Sequence, residues 1–149
     1  MSIEKKFKGV IVPAVTPLTS TFAIDELAVE KIFNNFYANN ASPFILGTTG
    51  EAPSLSLQQK KDYVTAASKF KKPGTVLYAG ISSNVVSESI DFANYCADQG
   101  VDAVAATLPS YYVLTESQMK KYFEDLANAI SVPLIIYNIP ASTHMRIPL

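Results

Sequence analysis

The chain has 149 residues, 48% of them hydrophobic and 17% charged, with 12 Lys plus Arg against 13 Asp plus Glu for a formal net charge of −1. That length suits one domain with a real core and is short for two, and the composition excludes a disordered chain. The near-neutral balance, with no basic run beyond KKFK at the start and FKKP further on, argues against a nucleic-acid partner.

Short β-rich apolar runs recur at roughly thirty-residue spacing, the length of one βαβ unit. The first is VIVPAV (10–15), preceded by the charged MSIEKKFKG, which does not read as a targeting segment. Helical spacing follows from a cap at Asp25, with Leu27, Ile32 and Phe36 among its apolar positions. The second strand is PFIL (43–46), and the helix after it opens at Ser56 and stops at KKPG. Then come TVLYAG (75–80) and a helix carrying Val86, Ile90 and Ala93 that ends at Gly100. The fourth strand is DAVAAT (102–107); its helix begins at Thr115, carries Met119, Tyr122, Phe123 and Leu126, and stops near Pro133. PLIIY (133–137) is the fifth strand. The strands are continuous apolar runs, so both faces of each are expected to be buried. Cys96, the single cysteine, excludes an internal disulfide and reads as a buried small hydrophobe. One His, His144, and one Cys cannot build a zinc site, so no metal is expected. No apolar run is long enough to span a membrane, and a cytoplasmic location is the default expectation.

Five strands joined only by helical crossovers predict a parallel sheet with helices covering it. Both a doubly wound sheet and part of a (β/α)8 barrel satisfy this order; the absence of GxGxxG after the first strand weakens the former, and length counts against a whole barrel. In either architecture ligands bind at the carboxyl ends of the strands. Those ends read TPLT (16–19), GTTGE (47–51), GISSN (80–84), TLPSYY (107–112) and YNIP (137–140), a concentration of hydroxyls and phenols. Gly47 and Gly50 would let the backbone turn tightly, leaving Thr48 and Thr49 to offer amide and hydroxyl donors to a carboxylate or phosphate. The alternative is a turn whose threonines only satisfy backbone groups. Glu51 reads as an acceptor holding the loop, or a cap, rather than a catalytic acid. Tyr137 is either a core tyrosine with a satisfied hydroxyl or a site residue. Tyr111 and Tyr112 would project to opposite sides of an extended chain. Threonines and tyrosines without paired carboxylates fit proton relay to a carbonyl compound better than hydrolysis.

Taken together, VTPLT, GTTGE, PSYY and YNIP, in this order on successive strands, resemble the dihydrodipicolinate synthase and N-acetylneuraminate lyase family of pyruvate-dependent class I aldolases, over nearly the whole chain. The resemblance implies a (β/α)8 barrel, with residues 1–149 forming the N-terminal part of one barrel domain: four βα units and the fifth strand. It implies that Thr48 and Thr49 hold the carboxylate of pyruvate or of a 2-keto acid, with Gly47 and Gly50 shaping the cradle. Thr48, Tyr137 and Tyr112 would form a proton relay, Tyr112 reaching an adjacent subunit, with Tyr137 over the Schiff base. The partners would be pyruvate or a 2-keto acid and an aldehyde, with no separate cofactor, in a homotetramer built as a dimer of dimers.

Two departures from the family pattern matter. The family's nucleophilic lysine lies on the sixth strand, and the chain ends at Leu149 before one; its own lysines fall in the N-terminal segment or on helix patterns that read as solvated. The expectation is the front half of a longer enzyme, or a truncated half barrel acting as a ligand-binding or assembly module. Dihydrodipicolinate synthases also carry an arginine shortly after YNxP; Ser142 stands there, and Arg146 lies four residues on. Thr48 stands where neuraminate lyases usually have serine. A 2-keto-3-deoxy sugar acid aldolase therefore stays open beside the other two activities.

Overall fold

The computed structural model describes residues 6–148. Its elements alternate as expected: β1 (Val10–Pro13), α1 (Glu26–Ala38), β2 (Ala41–Ile45), α2 (Leu57–Lys69), β3 (Tyr78–Gly80), α3 (Val86–Asp98), β4 (Ala103–Ala106), α4 (Glu116–Ala129), β5 (Leu134–Ile136) and a single turn, α5 (Pro140–Thr143). A 3-10 turn, Ala52–Ser54, follows β2. It and α5 escape a reading by periodicity because three or four residues cannot display a 3.6-residue period.

Local chemistry accounts for the helix starts. The Asp25 carboxylate accepts the Ala28 amide at 3.0 Å. Ser56 with Gln59, and Thr115 with Gln118, form reciprocal capping boxes at α2 and α4. Each such cap contributes about 1 kcal/mol. Gly100, in left-handed backbone at φ +85°, turns the chain out of α3.

The five strands pair in parallel in chain order, β1-β2-β3-β4-β5. A doubly wound sheet requires a reversal of strand order and helices on both faces. Here the order never reverses, and the helix residues Val29, Phe33, Tyr63, Val64, Phe92, Cys96, Tyr122 and Leu126 share one core with Ile45, Leu77, Ala79, Val104 and Ala106 of the strand segments. Strand side chains alternate between faces. The opposite set, in register, is Ile11 and Pro13, Ser42 and Phe44, Tyr78 and Gly80, Ala103 and Ala105, then Ile135. This is the arrangement of a (β/α)8 barrel, with helices outside and a second layer of side chains facing the axis.

Two expectations need correction here. The central strands β3 and β4 are buried throughout, but the outer strands are not: Val10 is 62% exposed, Ile11 41%, Ile135 39% and Ile136 52%. Apolar runs announce strands meant for burial, yet β1 and β5 each have one sheet neighbour. Leu27, expected among the apolar positions of α1, is 69% exposed; Val29 and Phe33 make the buried stripe instead, with Ile32 and Phe36 beside it. Cys96 is buried as expected, and burial pushes its thiol up to about 12.

At the amino-terminal end of the strands, Asp102 gathers Lys6 at 2.8 Å, Lys71 at 2.6 Å and the Leu77 amide at 2.8 Å. Burial alone would raise this carboxyl, but the two ammonium groups and the amide hold it below its ordinary value. Lys71 also donates to the Gly100 carbonyl at 2.8 Å. These bonds tie the N-terminal segment, the end of α2 and the starts of β3 and β4 together, far from the rim where ligands bind.

At the opposite rim one backbone contact shapes everything above it. The chain leaving β2 passes so close over β3 that a Cβ on Gly80 would collide with the Leu46 carbonyl, whereas one on Gly47 would meet only the Phe44 ring, at 3.0 Å. A ring can yield and a carbonyl in a packed turn cannot. Gly80→Ala should therefore lower stability by about 3 kcal/mol and Gly47→Ala by about 1 kcal/mol, read as the order of their urea midpoints. The isolated chain, with Ile11, Ile135 and Ile136 exposed on parallel edge strands, should self-associate. Sedimentation velocity giving a sharp monomer with a cooperative melt would contradict that expectation.

Candidate active site

The turn after β2 is built differently from the sequence reading. Gly47 and Gly50 both avoid positive φ; the sharp bends fall on Leu46 at φ 57° and Glu51 at φ 51°, one at each end of the turn. The glycines are needed for space: a Cβ on Gly50 would lie 3.1 Å from the Ala14 carbonyl and 3.2 Å from the Thr16 hydroxyl. Left-handed backbone at two non-glycine residues stores strain that the surrounding packing must hold. Glu51 stands at the cap position of the 3-10 turn, but its carboxylate makes no capping bond.

Thr16 does the structural work that could have fallen to the threonines of the turn. Its hydroxyl donates to the Gly50 carbonyl at 2.7 Å, fixing the turn to the loop after β1. Tyr63, on α2, donates to the Val15 carbonyl at 2.8 Å from the other side, its phenol pushed well above the ordinary range by burial. Within the turn, the Gly47 carbonyl accepts the Gly50 amide at 3.1 Å and the Thr48 carbonyl accepts the Glu51 amide at 3.0 Å. Among the described residues, no acceptor is set against the amide or hydroxyl of Thr48 or of Thr49, and both are exposed. Those donors are unspent.

Tyr137 follows β5 by one residue, its amide bonded to the Ala106 carbonyl at 2.9 Å. By strand alternation its ring continues the axial set after Ile135, and it lies edge-on to Phe44 with centroids 6.2 Å apart. The ring is half-buried and its hydroxyl is not tied to another described residue. Thr48 and Tyr137 line one cavity of about 180 Å³ together with Gly47, Ser82, Thr107, Ser110 and Ser142. Its lining carries hydroxyls and no charged side chain. The volume is below the usual 300–1,000 Å³ of drug-sized sites and suits a ligand of a few heavy atoms. Among the described residues no group of His, Cys, Asp or Glu could hold a metal ion.

The remaining site residues are distributed as follows. Thr49 and Gly50 belong to the same turn as Thr48 but not to the cavity wall. Tyr111 and Tyr112 do not project to opposite sides: the chain is bent there, the rings meet edge-on at 4.8 Å, and they are 74% and 75% exposed. They border a neighbouring groove with Asn84, Val86 and Tyr122, so Tyr112 is not brought to Thr48 within this chain. Arg146 lies outside the cavity. Among the described residues no lysine lines it either, but the reading of every lysine as solvated fails at Lys60, Lys61 and Lys71, all half-buried, with Lys71 ion-paired to Asp102. Lys60 is half-buried on α2 in an adjoining cleft with Ser83 and Glu88, and burial lowers its amine, Glu88 opposing. Sequence reasoning leaves Ser82, Thr107 and Ser110 without a role. Their signal is position alone, a hydroxyl residue just past β3 or β4.

Comparison with known proteins agrees with this architecture. The model of the Dihydrodipicolinate synthetase family matches residues 6–149. A 4-hydroxy-tetrahydrodipicolinate synthase of Methanococcus maripaludis is 33% identical over 141 residues, covering 94% of the chain and 48% of the relative. A 2-dehydro-3-deoxy-D-gluconate/2-dehydro-3-deoxy-phosphogluconate aldolase of Thermoproteus tenax is 38% identical over 135 residues, covering 86% and 42%. YagE, a prophage protein of E. coli K12 assigned to the dihydrodipicolinic acid synthase family and solved with pyruvate, superposes with a TM-score of 0.90 over 94% of the chain and 47% of its own; at 23% identity this is a likeness of fold. The chain thus spans about half the length of the relatives it matches. With its sequential parallel strands, one-sided helices and match over nearly every residue, it belongs to the dihydrodipicolinate synthetase family, and its five strands match that family's (β/α)8 barrel over about half of the barrel chain.

Proposed function

We propose that the protein to which this chain contributes the N-terminal half barrel is a class I aldolase that forms a Schiff base with pyruvate and makes or cleaves a carbon–carbon bond between pyruvate and an aldehyde. The observation that carries this reading is the cavity shared by Thr48 and Tyr137, with the donors of Thr48 and Thr49 unspent beside it. Two amides and two hydroxyls on one turn suit a carboxylate, which accepts several hydrogen bonds at once. Fixing that carboxylate leaves the keto carbon to be presented to an amine. The resemblance implies a nucleophilic lysine on the sixth strand of the complete barrel, and none of the described lysines lines the cavity.

Tyr137 donates a proton to the hydroxyl that leaves when the carbinolamine dehydrates, and takes one back from the substrate hydroxyl when the bond breaks. Thr48 links the Tyr137 phenol to Tyr112 of an adjacent subunit, through which protons needed in the remaining steps exchange with solvent. The exposed Tyr111 and Tyr112 rings support a neighbouring subunit that receives them, a dimer at least; the dimer of dimers rests on the resemblance. A hydroxyl-lined wall without a cation, with Ser142 part of it, supports a neutral polyhydroxylated aldehyde, as released from a 2-keto-3-deoxy acid, over one bearing a carboxylate. The similarity to the Thermoproteus tenax aldolase, named for a 2-dehydro-3-deoxy sugar acid and its phosphorylated form, supports the sugar-acid class without choosing between a neutral and a phosphorylated aldehyde. A buried free thiol is in keeping with a cytoplasmic enzyme. The second reading, a half barrel that binds a keto acid without chemistry, is favoured only by the absence of a lysine in the cavity wall.

Protein from its native source, treated with pyruvate and borohydride, should gain one reduced pyruvate by intact mass, on a species well above the 16.2 kDa of this chain. A 16.2 kDa species without adduct would sink the aldolase reading and leave the binding module. In the active protein, Tyr137→Phe should lower kcat by about 10²- to 10³-fold while the borohydride adduct still forms slowly, measured by coupled assay of pyruvate release. Glyceraldehyde should be a better acceptor than aspartate semialdehyde; the reverse order would reject the neutral-aldehyde assignment.

A further inference from the structure

The loop after β3 holds the loop after β4 by a short ladder of hydrogen bonds. Ser82 Oγ accepts both the amide of Thr107, at 2.9 Å, and its hydroxyl, at 3.1 Å. Two residues on, Asn84 Oδ1 accepts the amides of Ser110, at 2.9 Å, and of Tyr111, at 3.2 Å. Both of Asn84's partners are donors, so only the carbonyl oxygen of the side chain can face them. Its amide nitrogen is engaged with no described residue. Below this, Tyr122 of α4 donates to the Thr107 carbonyl at 3.2 Å, so the fourth loop is gripped from two sides.

The gripped segment is otherwise poorly anchored. Tyr111, Tyr112 and Val113 are 74%, 75% and 81% exposed, and the two rings rest mainly on each other. An exposed bent loop with few buried contacts belongs to the least stable end of a fold. Asn84 is what fixes where the bend begins, one residue before Tyr112. It also sets Ser110, which lines the cavity with Thr48 and Tyr137.

We propose that Asn84 is a positioning residue that acts through Tyr112: its side-chain oxygen holds the Ser110–Tyr111 backbone so that the Tyr112 phenol is presented to the relay. The functional part of this inference rests on the proposed relay; the structural part does not. In the full protein in its natural assembly, Asn84→Ala should speed amide exchange at Ser110 and Tyr111 by about tenfold or more, and Asn84→Asp, which keeps an acceptor for both amides, should restore it. Unchanged exchange in Asn84→Ala overturns the inference outright. Asn84→Ala should lower kcat by about tenfold with KM for pyruvate little changed, and Asn84→Asp should recover to within about threefold of the parent. On a Tyr112→Phe background, Asn84→Ala should cost less than about twofold more, because the two residues act as one unit. An effect of Asn84→Ala that is fully additive with Tyr112→Phe overturns the action through Tyr112. A Tyr112→Phe protein as active as the parent, with exchange still lost in Asn84→Ala, sinks the relay and leaves the positioning of the loop standing.

Discussion

Strand alternation is the constraint on which the rest of this structure depends. Each parallel strand can offer only every second side chain to the helices, and the others must face the axis. The helix-facing set, Ile45, Leu77, Ala79, Val104 and Ala106, is small and branched, and closes with Phe33, Tyr63, Phe92 and Leu126 into the buried core. The axial set is chemically different. Phe44 and Tyr78 lie inward, Gly80 and Ala105 leave room above them, and Tyr137 extends the same set to the rim. The site is the upper continuation of an axial layer, and its polarity rises where the strands end.

The rim residues divide between those that spend their hydrogen bonds on the scaffold and those that keep them. The side chains of Thr16, Ser82 and Asn84, with Thr107, are bonded to neighbouring loops; among the described residues no partner is set against the side chains of Thr48, Thr49 and Tyr137. This division is how a rigid site is made from loops, since a donor can be aimed at a ligand only if another group holds its backbone. The strained bends at Leu46 and Glu51 fit the same logic, with the Thr16 bond and the close pass over Gly80 holding them in place.

Much of this is legible in the sequence. The five strands, the caps at Asp25, Ser56 and Thr115, and the buried stripe of α4 all follow from local pattern, because capping and periodicity are settled within a few residues. GTTGE marks a turn, but misleads about what its glycines do there. Lack of a Cβ and freedom of φ leave the same letter in a sequence, and only the positions of Phe44 and Ala14 tell them apart. Leu27 misleads because helical spacing predicts a stripe without saying where its edge falls. Tyr111 and Tyr112 mislead because the bend is held by Asn84, which lies 26 and 27 residues before the Ser110 and Tyr111 amides it accepts. Choosing the barrel over the doubly wound sheet needs strand order, which periodicity does not contain.

The uninterrupted order of the strands bears on how such a chain is made. Every strand after β1 pairs with one already synthesised, roughly thirty residues back, so each new βα unit has its template already made as it leaves the ribosome. Among these five strands the most recent one always lies at the edge, and a pairing separation near thirty residues keeps each loop-closure cost small.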